Sequence, residues 1–223
     1  MTIIKYLIDF VLHIDKNLAI VIHDFGGWSY AILWLVIFVE TGLVVTPFLP
    51  GDSLLFAAGA LTASVGAFQI GWLWGLMVIA AFVGDTVNYW IGRRVGPAAF
   101  NSNLKFKVFN LKIEIGKILK PEYLDKAQAF YDKHGGKAII LARFVPIVRT
   151  FAPFVAGIGK MNYGKFISYN AIGGLFWVTL FVWGGYFFGN IPIVKNNFEV
   201  VALLIILISV VPMGIEWVKS KKK

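Results

Sequence analysis

The chain alternates between long apolar runs and short charged segments. Residues 166–189 and residues 200–215 contain no charged side chain. A helix needs about 20 apolar residues to cross a hydrocarbon core of about 30 Å. The pattern therefore predicts an all-α polytopic membrane protein whose long membrane helices include residues 68–92, 166–189 and 200–218.

Two other apolar segments contain residues that interrupt helices. Pro47, Pro50 and Gly51 fall in the first segment, and Pro146 and Pro153 fall in the second. Proline removes a backbone donor and clashes with the preceding helical turn. Irregular backbone at membrane depth is tolerated only where protein or a wet cavity covers it. We therefore predict that each segment forms a re-entrant hairpin, covered by its neighbours, that enters and leaves the membrane on the same side.

Lysine and arginine predict which side of the membrane each loop faces. Residues 93–137 contain ten Lys/Arg against four Asp/Glu, and the chain ends in VKSKKK. Cationic segments beside membrane helices stay in the cytoplasm, and they account for the formal net charge of +9 without nucleic acid as a partner. Three apolar stretches separate these two basic regions, so one of them, 138–158, has to return to the side from which it came. We expect a multi-pass protein of the cell (inner, cytoplasmic) membrane with a cytoplasmic C-terminus.

The composition supports this class of protein. Hydrophobic residues make up 58% of the chain, with a mean hydropathy of +0.75, and a soluble domain of this length would not bury so much apolar surface. The chain has no cysteine, so disulfides and thiolate metal sites are excluded. Its three histidines show no spacing typical of metal ligands. We therefore expect neither a metal nor a cofactor.

The two halves of the chain resemble each other. FGGWSYAILWLVIFVETG (25–42) aligns with HGGKAIILARFVPIVRTF (134–151) at an offset of 109 residues. The charge distribution gives the halves opposite orientations, and inverted repeats with broken helices are typical of transporters. We predict a single membrane domain over 1–223 with the following parts: an amphipathic N-terminal helix (1–24), a first repeat with its hairpin (25–92), a cytoplasmic basic linker (93–133), a second repeat with its hairpin (134–190), and a last transmembrane helix with a basic tail (191–223).

The N-terminal helix has two interpretations. Lys5, Asp9, His13 and Lys16 recur at helical spacing and form one polar stripe. A stripe of this kind favours a helix lying in the membrane interface over one that crosses the bilayer. The side of the membrane on which the N-terminus lies depends on this choice and stays open.

Few ionisable side chains fall within the apolar segments. Glu40 and Asp52 belong to the first broken segment, and Arg143 and Arg149 belong to the second. A charged side chain at the bilayer centre costs about 2.5–3.5 kcal/mol on insertion scales, so such residues are candidates for function. If the hairpin tips meet, two carboxylates face two guanidinium groups. Because arginine offers a planar fork that matches phosphate oxygens, we expect Arg143 and Arg149 to bind phosphate, and Glu40 and Asp52 to gate the site or couple it to protons.

Other interpretations of these charges stay open. The four residues would also serve as a buried lock that only holds the hairpins together, since breaking a buried ion pair is costly. Asp85 is an accessory candidate for the site. For Asp85 we favour a simpler role, as a partner of Arg93 and Arg94 or of a neighbouring helix.

Two motifs resemble the paired signatures of the DedA family of membrane proteins, whose domain is shared with eukaryotic lipid scramblases of the endoplasmic reticulum. They are ETGLVVTPFLPGDSLLFAAG (40–59) and ARFVPIVRTFAPFVAG (142–157). The resemblance spans about residues 25–190. It implies two opposed re-entrant hairpins and a role in moving lipid phosphates, with undecaprenyl phosphate as the suggested bacterial substrate and dependence on proton-motive force.

The resemblance also assigns residues. The essential acids of the family match Glu40 and Asp52, and its essential arginines match Arg143 and Arg149. One position departs from the family pattern, because Ala142 stands where glycine is common. Alanine is small enough for close backbone approach, so the departure changes little.

We therefore expect a flippase for a lipid phosphate, with membrane lipids, the lipid-phosphate substrate and protons as partners. A proton-coupled exporter of a small solute or ion is an alternative, and an assembly protein without flux of its own is another. A lipid-phosphate phosphatase would need a nucleophile or a metal. No His–Asp or His–Arg constellation appears in the apolar segments, so we expect no enzyme. The identity of the lipid, the direction of transport and the oligomeric state stay open.

Overall fold

A computed structural model of the chain describes residues 14–43, 51–95, 105–108, 111–114, 135–144, 146–189, 191–197, 200–201 and 204–205. Several parts of the sequence analysis fall outside these ranges: residues 1–13, the break residues Pro47 and Pro50, and the residues from 206 onward. The structural account below concerns the described residues.

The N-terminal half contains four helices. They are α1 (Ile14–Phe25), α2 (Ser29–Gly42), α3 (Gly51–Val65) and α4 (Ile70–Val95). A short 3₁₀ turn, Gly26–Trp28, joins α1 to α2.

The C-terminal half contains four more helices among the described residues. They are α5 (Lys137–Ala142), α6 (Pro146–Ile158), α7 (Tyr163–Phe188) and α8 (Pro192–Asn196). The strands β1 (Lys105–Val108) and β2 (Leu111–Glu114) lie between the two halves.

Three helical stretches in the described part of the chain are long and apolar enough to cross a membrane. They are Lys16–Gly42, Ile70–Arg94 and Tyr163–Phe188. The last two coincide with the long helices predicted over 68–92 and 166–189, so the prediction of a multi-pass helical membrane protein is confirmed. Two shorter apolar helices, Gly51–Val65 and Val148–Ile158, have lengths below those of the three candidate spans.

The helix predicted over residues 1–24 is seen from Ile14 and ends at Phe25. One turn of 3₁₀ helix, with Gly26 at a φ of +50°, connects it to α2, and Lys16–Gly42 together form one of the candidate spans. Leu18 of α1 is buried, and α1 packs against α3. The apolar face of this amphipathic helix is thus directed at the protein, at least in part.

The basic linker contains a short β-hairpin. Strands β1 and β2 are antiparallel, with Lys105 opposite Glu114 and Val108 opposite Leu111. The hydrophobic pattern did not predict these strands. They are an addition to the helical architecture and lie outside the candidate membrane spans.

The chain divides into two compact units, each made from more than one stretch of sequence. The first unit is built from Met1–Phe38, Phe48–Ala81 and Gly174–Lys223, and the second from Val39–Pro47 and Phe82–Gly173. Helices α4 and α7 each contribute one end to the first unit and the other end to the second.

In the first unit, apolar side chains of α2, α3, α4 and α7 form the core. Its fully buried members include Ile37, Leu55, Leu73 and Trp177. Helices α3 and α7 approach closely because glycine occupies the contact, and a β-carbon at Gly185 would collide with the backbone of α3. Small residues at helix contacts of this kind are typical of membrane proteins.

The core of the second unit is smaller and more aromatic. Tyr89 of α4 stacks on Phe166 of α7 with ring centroids 4.5 Å apart, and Ile139 and Ala156 complete the cluster. The hydroxyl of Tyr89 donates to the carbonyl of Met161. These contacts join α4 to the turn between α6 and α7.

Helix α6 ends in a Schellman motif, a pair of crossed hydrogen bonds that closes a helix C-terminus. Lys160 N donates to Gly157 O at 3.0 Å, and Met161 N donates to Ala156 O at 3.0 Å. Lys160 takes the left-handed conformation at the centre of this motif, with a φ of +53°. Glycine usually occupies that position because it carries no β-carbon.

Candidate functional site

Two buried ion pairs lie in the second unit. Arg149 Nη2 bonds Glu40 Oε1, and Arg143 Nη2 bonds Asp85 Oδ2. No more than 4% of any of these four side chains is exposed. Buried charges require partners because the desolvation of an isolated charge is prohibitive, so each arginine and its acid have to be considered together.

Helix ends position the Glu40–Arg149 pair. Glu40 lies in the last turn of α2, and Arg149 lies in the first turn of α6. Pro146 is the first residue of α6, a position that suits proline because the first helical N–H has no partner within the helix. The break predicted at Pro146 is therefore the start of a new helix, which carries Arg149.

Two other predicted break residues have different outcomes. Gly51 is the first residue of α3 and so lies where a helix starts. Pro153 lies inside α6, which runs on to Ile158, so Pro153 does not end the helix. Membrane helices tolerate proline because neighbouring groups satisfy the backbone that it releases.

The Arg143 pair is built from three elements. Arg143 caps the C-terminus of α5, Asp85 lies on α4, and Asn170 of α7 accepts a hydrogen bond from Arg143 Nη2 through its Oδ1. Asn170 is oriented in turn, because its Nδ2 donates to the carbonyl of Phe82 at 3.3 Å. Sequence reasoning missed Asn170, although a buried amide in a membrane helix marks it as a polar contact.

A glycine makes room for the Arg143 side chain. A β-carbon at Gly173 would lie 2.9 Å from Cδ and 3.1 Å from Nε of Arg143. Both distances are shorter than a normal van der Waals contact between heavy atoms. The Gly-Gly pair at 173–174, which the sequence analysis did not connect to the site, therefore permits α7 to pack on Arg143.

Part of the Arg143 guanidinium has no protein partner. Among the described residues, Nε and Nη1 of Arg143 and Oδ1 of Asp85 are buried and make no hydrogen bond. A guanidinium has five N–H donors in a fixed fork, and here the two acceptors gather on Nη2 alone. Since buried polar atoms are nearly always hydrogen-bonded, this arrangement can accept further oxygen atoms at the remaining donors.

Asn88 connects the segments that carry the second pair. Its Nδ2 donates to the carbonyl of Thr41 at 3.1 Å and to the carbonyl of Thr150 at 2.8 Å. Sequence reasoning missed this residue too. Its position three residues after Asp85 places both on one face of α4, and that polar face was the available signal.

Asp52 has a different environment. It lies in the first turn of α3, in the first unit, and its Oδ1 accepts a hydrogen bond from Trp177 Nε1 at 2.9 Å. The predicted proximity of Asp52 to the two arginines remains a prediction.

Of the two simpler roles considered for Asp85, the structure has the partner on a neighbouring segment, Arg143. Arg93 has other contacts: its Nη1 donates to Tyr89 Oη at 2.9 Å, and its guanidinium lies 5.4 Å from the ring centroid of Trp90. The site therefore contains an acid, Asp85, that the sequence analysis ranked only as an accessory.

The described residues bring together no group of three or more His, Asp or Glu side chains that would hold a metal ion. The chemistry available in the second unit is therefore that of paired charges and amides. It suits reversible binding of an anion by hydrogen bonds and charge.

These features define a class: a multi-pass helical membrane protein with two buried arginine–carboxylate pairs. Comparison with known proteins gives the family. The model of the VTT domain matches residues 43–187. Protein DedA of Escherichia coli (strain K12) is 54% identical over 223 residues, which cover 100% of this chain and 97% of the relative. The chain therefore belongs to the DedA family, whose members share the VTT domain.

More distant relatives agree. An uncharacterised membrane protein of Mycobacterium tuberculosis (strain H37Rv) is 40% identical over 189 residues, which cover 84% of this chain and 78% of the relative. Inner membrane protein YqjA of Escherichia coli (strain K12) is 32% identical over 182 residues, which cover 81% of this chain and 77% of the relative. No solved structure matches the chain.

Proposed function

We propose that this protein translocates a lipid phosphate across the membrane, and that Arg143 holds the phosphate group. The observation that carries the proposal is the partly used guanidinium: Nη2 bonds Asp85 and Asn170, while the buried Nε and Nη1 make no hydrogen bond among the described residues. Nε and an Nη atom form the edge of arginine that binds phosphate oxygens in a bidentate manner.

The paired acids supply the reversibility that a translocator needs. A carboxylate next to an arginine competes with an incoming phosphate for the same donors, and protonation of the carboxylate weakens that competition. Asp85 is the acid in contact with Arg143, and Glu40 is the acid in contact with Arg149. In the proposed mechanism Arg149 is the second phosphate ligand, and Glu40, together with Asp52, gates the site or couples it to protons.

We further propose that the broken segments are the two hairpins of an inverted repeat. Helices α2, α3, α5 and α6 have 14, 15, 6 and 13 residues, fewer than the roughly 20 that a complete crossing needs. Positions related by the offset of 109 also share properties. Gly26 and Gly135 both have a positive φ, and Glu40 and Arg149 pair with each other.

Undecaprenyl phosphate is the cargo that the family resemblance suggests, and a phospholipid is the other candidate. In either case the apolar tail would stay in the bilayer while the headgroup crosses. A cytoplasmic C-terminus is part of the same proposal, because the basic ends of the chain are expected to stay inside.

A purely structural role is the second candidate, because each arginine already has a carboxylate partner. A lock of this kind would need the charges but not the free edge of Arg143. The two candidates therefore differ in what they require of that side chain.

Arg143→Lys separates these candidates. The ammonium of lysine can keep the ion pair with Asp85, but it lacks the bidentate edge. Purified protein is reconstituted in vesicles that contain a fluorescent lipid monophosphate, and translocation is followed by the loss of signal to a membrane-impermeant quencher. Because a hydrogen bond to a charged group contributes about 1.5–3 kcal/mol, we expect translocation to fall about tenfold or more.

Arg93→Lys is the matched control, because Arg93 is exposed and bonds only Tyr89 and Trp90 among the described residues. It should translocate normally. Normal translocation by Arg143→Lys would overturn the phosphate-binding role, and recovery of cellular function by the charge-exchanged pair Asp85→Arg with Arg143→Asp would support the lock. Flux of a soluble solute without any response to lipid phosphate would instead support the exporter.

A further inference from the structure

Asn88 is a buried amide with an unusual pair of acceptors. Its side chain is 0% exposed, and a single nitrogen, Nδ2, donates to the backbone carbonyls of Thr41 and Thr150. The two N–H groups of an amide nitrogen allow both bonds at once. Thr41 and Thr150 are 109 residues apart in sequence, so one side chain ties together two distant segments of the second unit.

The two carbonyls lie next to the charged residues. Thr41 directly follows Glu40, and Thr150 directly follows Arg149. Thr41 is in the last turn of α2, where carbonyl groups depend on donors from outside the helix. Asn88 supplies such a donor, and by the same atom it fixes where Thr150 lies relative to Thr41.

Space filling does not explain an amide at this position. Among the described residues, Asn88 Oδ1 is buried and makes no hydrogen bond, which an apolar side chain of similar size would avoid. Backbone packing nearby is already close, since a β-carbon at Gly42 would lie 3.3 Å from Cα of Gly84. An asparagine at position 88 therefore gives up one satisfied oxygen in exchange for its two donor bonds.

We propose that Asn88 is a positioning residue that holds α2 and α6 in the register at which Glu40 and Arg149 pair. The same face of α4 then serves both ion pairs: Asp85 bonds Arg143 directly, and Asn88 sets the backbone beside Glu40 and Arg149. This role goes beyond lipid translocation and stands or falls independently of it.

The chain has no cysteine, so a single introduced cysteine reports on local opening. Thr150→Cys is the reporter, because Thr150 is 1% exposed and the substitution keeps the backbone carbonyl that accepts from Asn88. The measurement is the rate at which a membrane-permeant maleimide labels the purified full-length protein. In the Asn88→Ala background we expect labelling about tenfold faster, as the loss of two hydrogen bonds implies.

Thr62→Cys is the matched control. Thr62 is buried in α3 of the first unit, and its hydroxyl donates within its own helix to Ala58 O at 2.7 Å. Asn88→Ala should leave the labelling rate at this cysteine unchanged. Equal acceleration at both reporters would mean general loosening and would overturn the positioning role, as would an unchanged rate at Thr150→Cys.

Graded replacements distinguish positioning from burial of any small residue. Asn88→Ser has one donor and can bond at most one carbonyl, so labelling of Thr150→Cys should lie between the rates with asparagine and alanine. Asn88→Ser also carries the comparison if Asn88→Ala does not yield folded protein. A serine variant that labels as slowly as the one with asparagine would show that the double bond from Nδ2 is not what holds the segments.

Discussion

Replacing Asp85 with asparagine removes the carboxylate that pairs with Arg143 and leaves the size of the side chain nearly unchanged. Both side chains of this pair are 2% exposed, so water would not replace the lost charge. Removing one partner of a buried ion pair costs about 3–5 kcal/mol. The new asparagine still offers an oxygen acceptor, and Asn170 already accepts from the same guanidinium. We therefore expect a loss of about 3 kcal/mol, at the lower end of that range.

Thermal unfolding of the purified protein in detergent measures this loss. For a chain of 223 residues, 1 kcal/mol corresponds to a shift in Tm of about 2–4 °C, so Asp85→Asn should lower Tm by roughly 6–12 °C. The double variant Asp85→Asn with Arg143→Met removes both charges. Because replacing both partners of a buried pair is often close to neutral, it should recover most of the Tm that the single variant loses.

An exposed ion pair provides the control. His23 Nδ1 and Asp24 Oδ1 are 3.0 Å apart, with 89% and 55% of their side chains exposed. Exposed pairs contribute about 0–1 kcal/mol, so Asp24→Asn should move Tm far less than Asp85→Asn. An unchanged Tm in Asp85→Asn, or Tm losses that simply add in the double variant, would refute the conclusion that Asp85 and Arg143 depend on each other for burial.

Two further predictions concern the packing and the turns. Gly185→Ala should lower Tm because its β-carbon would collide with the backbone of α3, whereas Gly75→Ala, where a β-carbon meets nothing within 4 Å, should raise it slightly; equal shifts would contradict the close approach of α3 and α7. Lys160→Gly should raise the stability by about 0.5–1 kcal/mol in the same melting assay, because glycine adopts the positive φ without strain, and a loss of stability would show that the lysine side chain makes a stabilising contact.

The long helices and the charged candidates were predictable from the sequence because each depends on local pattern. An uncharged run such as 166–189 is read from the residues themselves. The starts of α3 and α6, at Gly51 and Pro146, follow from the intrinsic backbone preferences of glycine and proline. Pro153 was the exception, because whether a membrane helix continues through proline depends on neighbours that spacing does not reveal.

The partners of the charges were not predictable in the same way. Asp85 and Arg143 are 58 residues apart in sequence, and no periodicity relates them. The sequence analysis considered Arg93 as a partner of Asp85 because both lie on one helix, yet Arg93 bonds Tyr89 and stacks on Trp90. Tertiary packing decided between these partners, and the signal that was available, the polar face formed by Asp85 and Asn88, indicates burial without naming the partner.

The inverted repeat proposed here gives a physical reason for the separation of acids and arginines between the two halves. Glu40 and Arg149 occupy equivalent positions, 109 residues apart, and they bond each other. Two equivalent residues of a two-fold repeat can touch only where they lie next to the axis that relates the halves. Identical charges at such a position would repel strongly in a medium of low dielectric constant. The halves therefore have to differ there, and an acid in one with an arginine in the other turns an unavoidable contact into an attractive one.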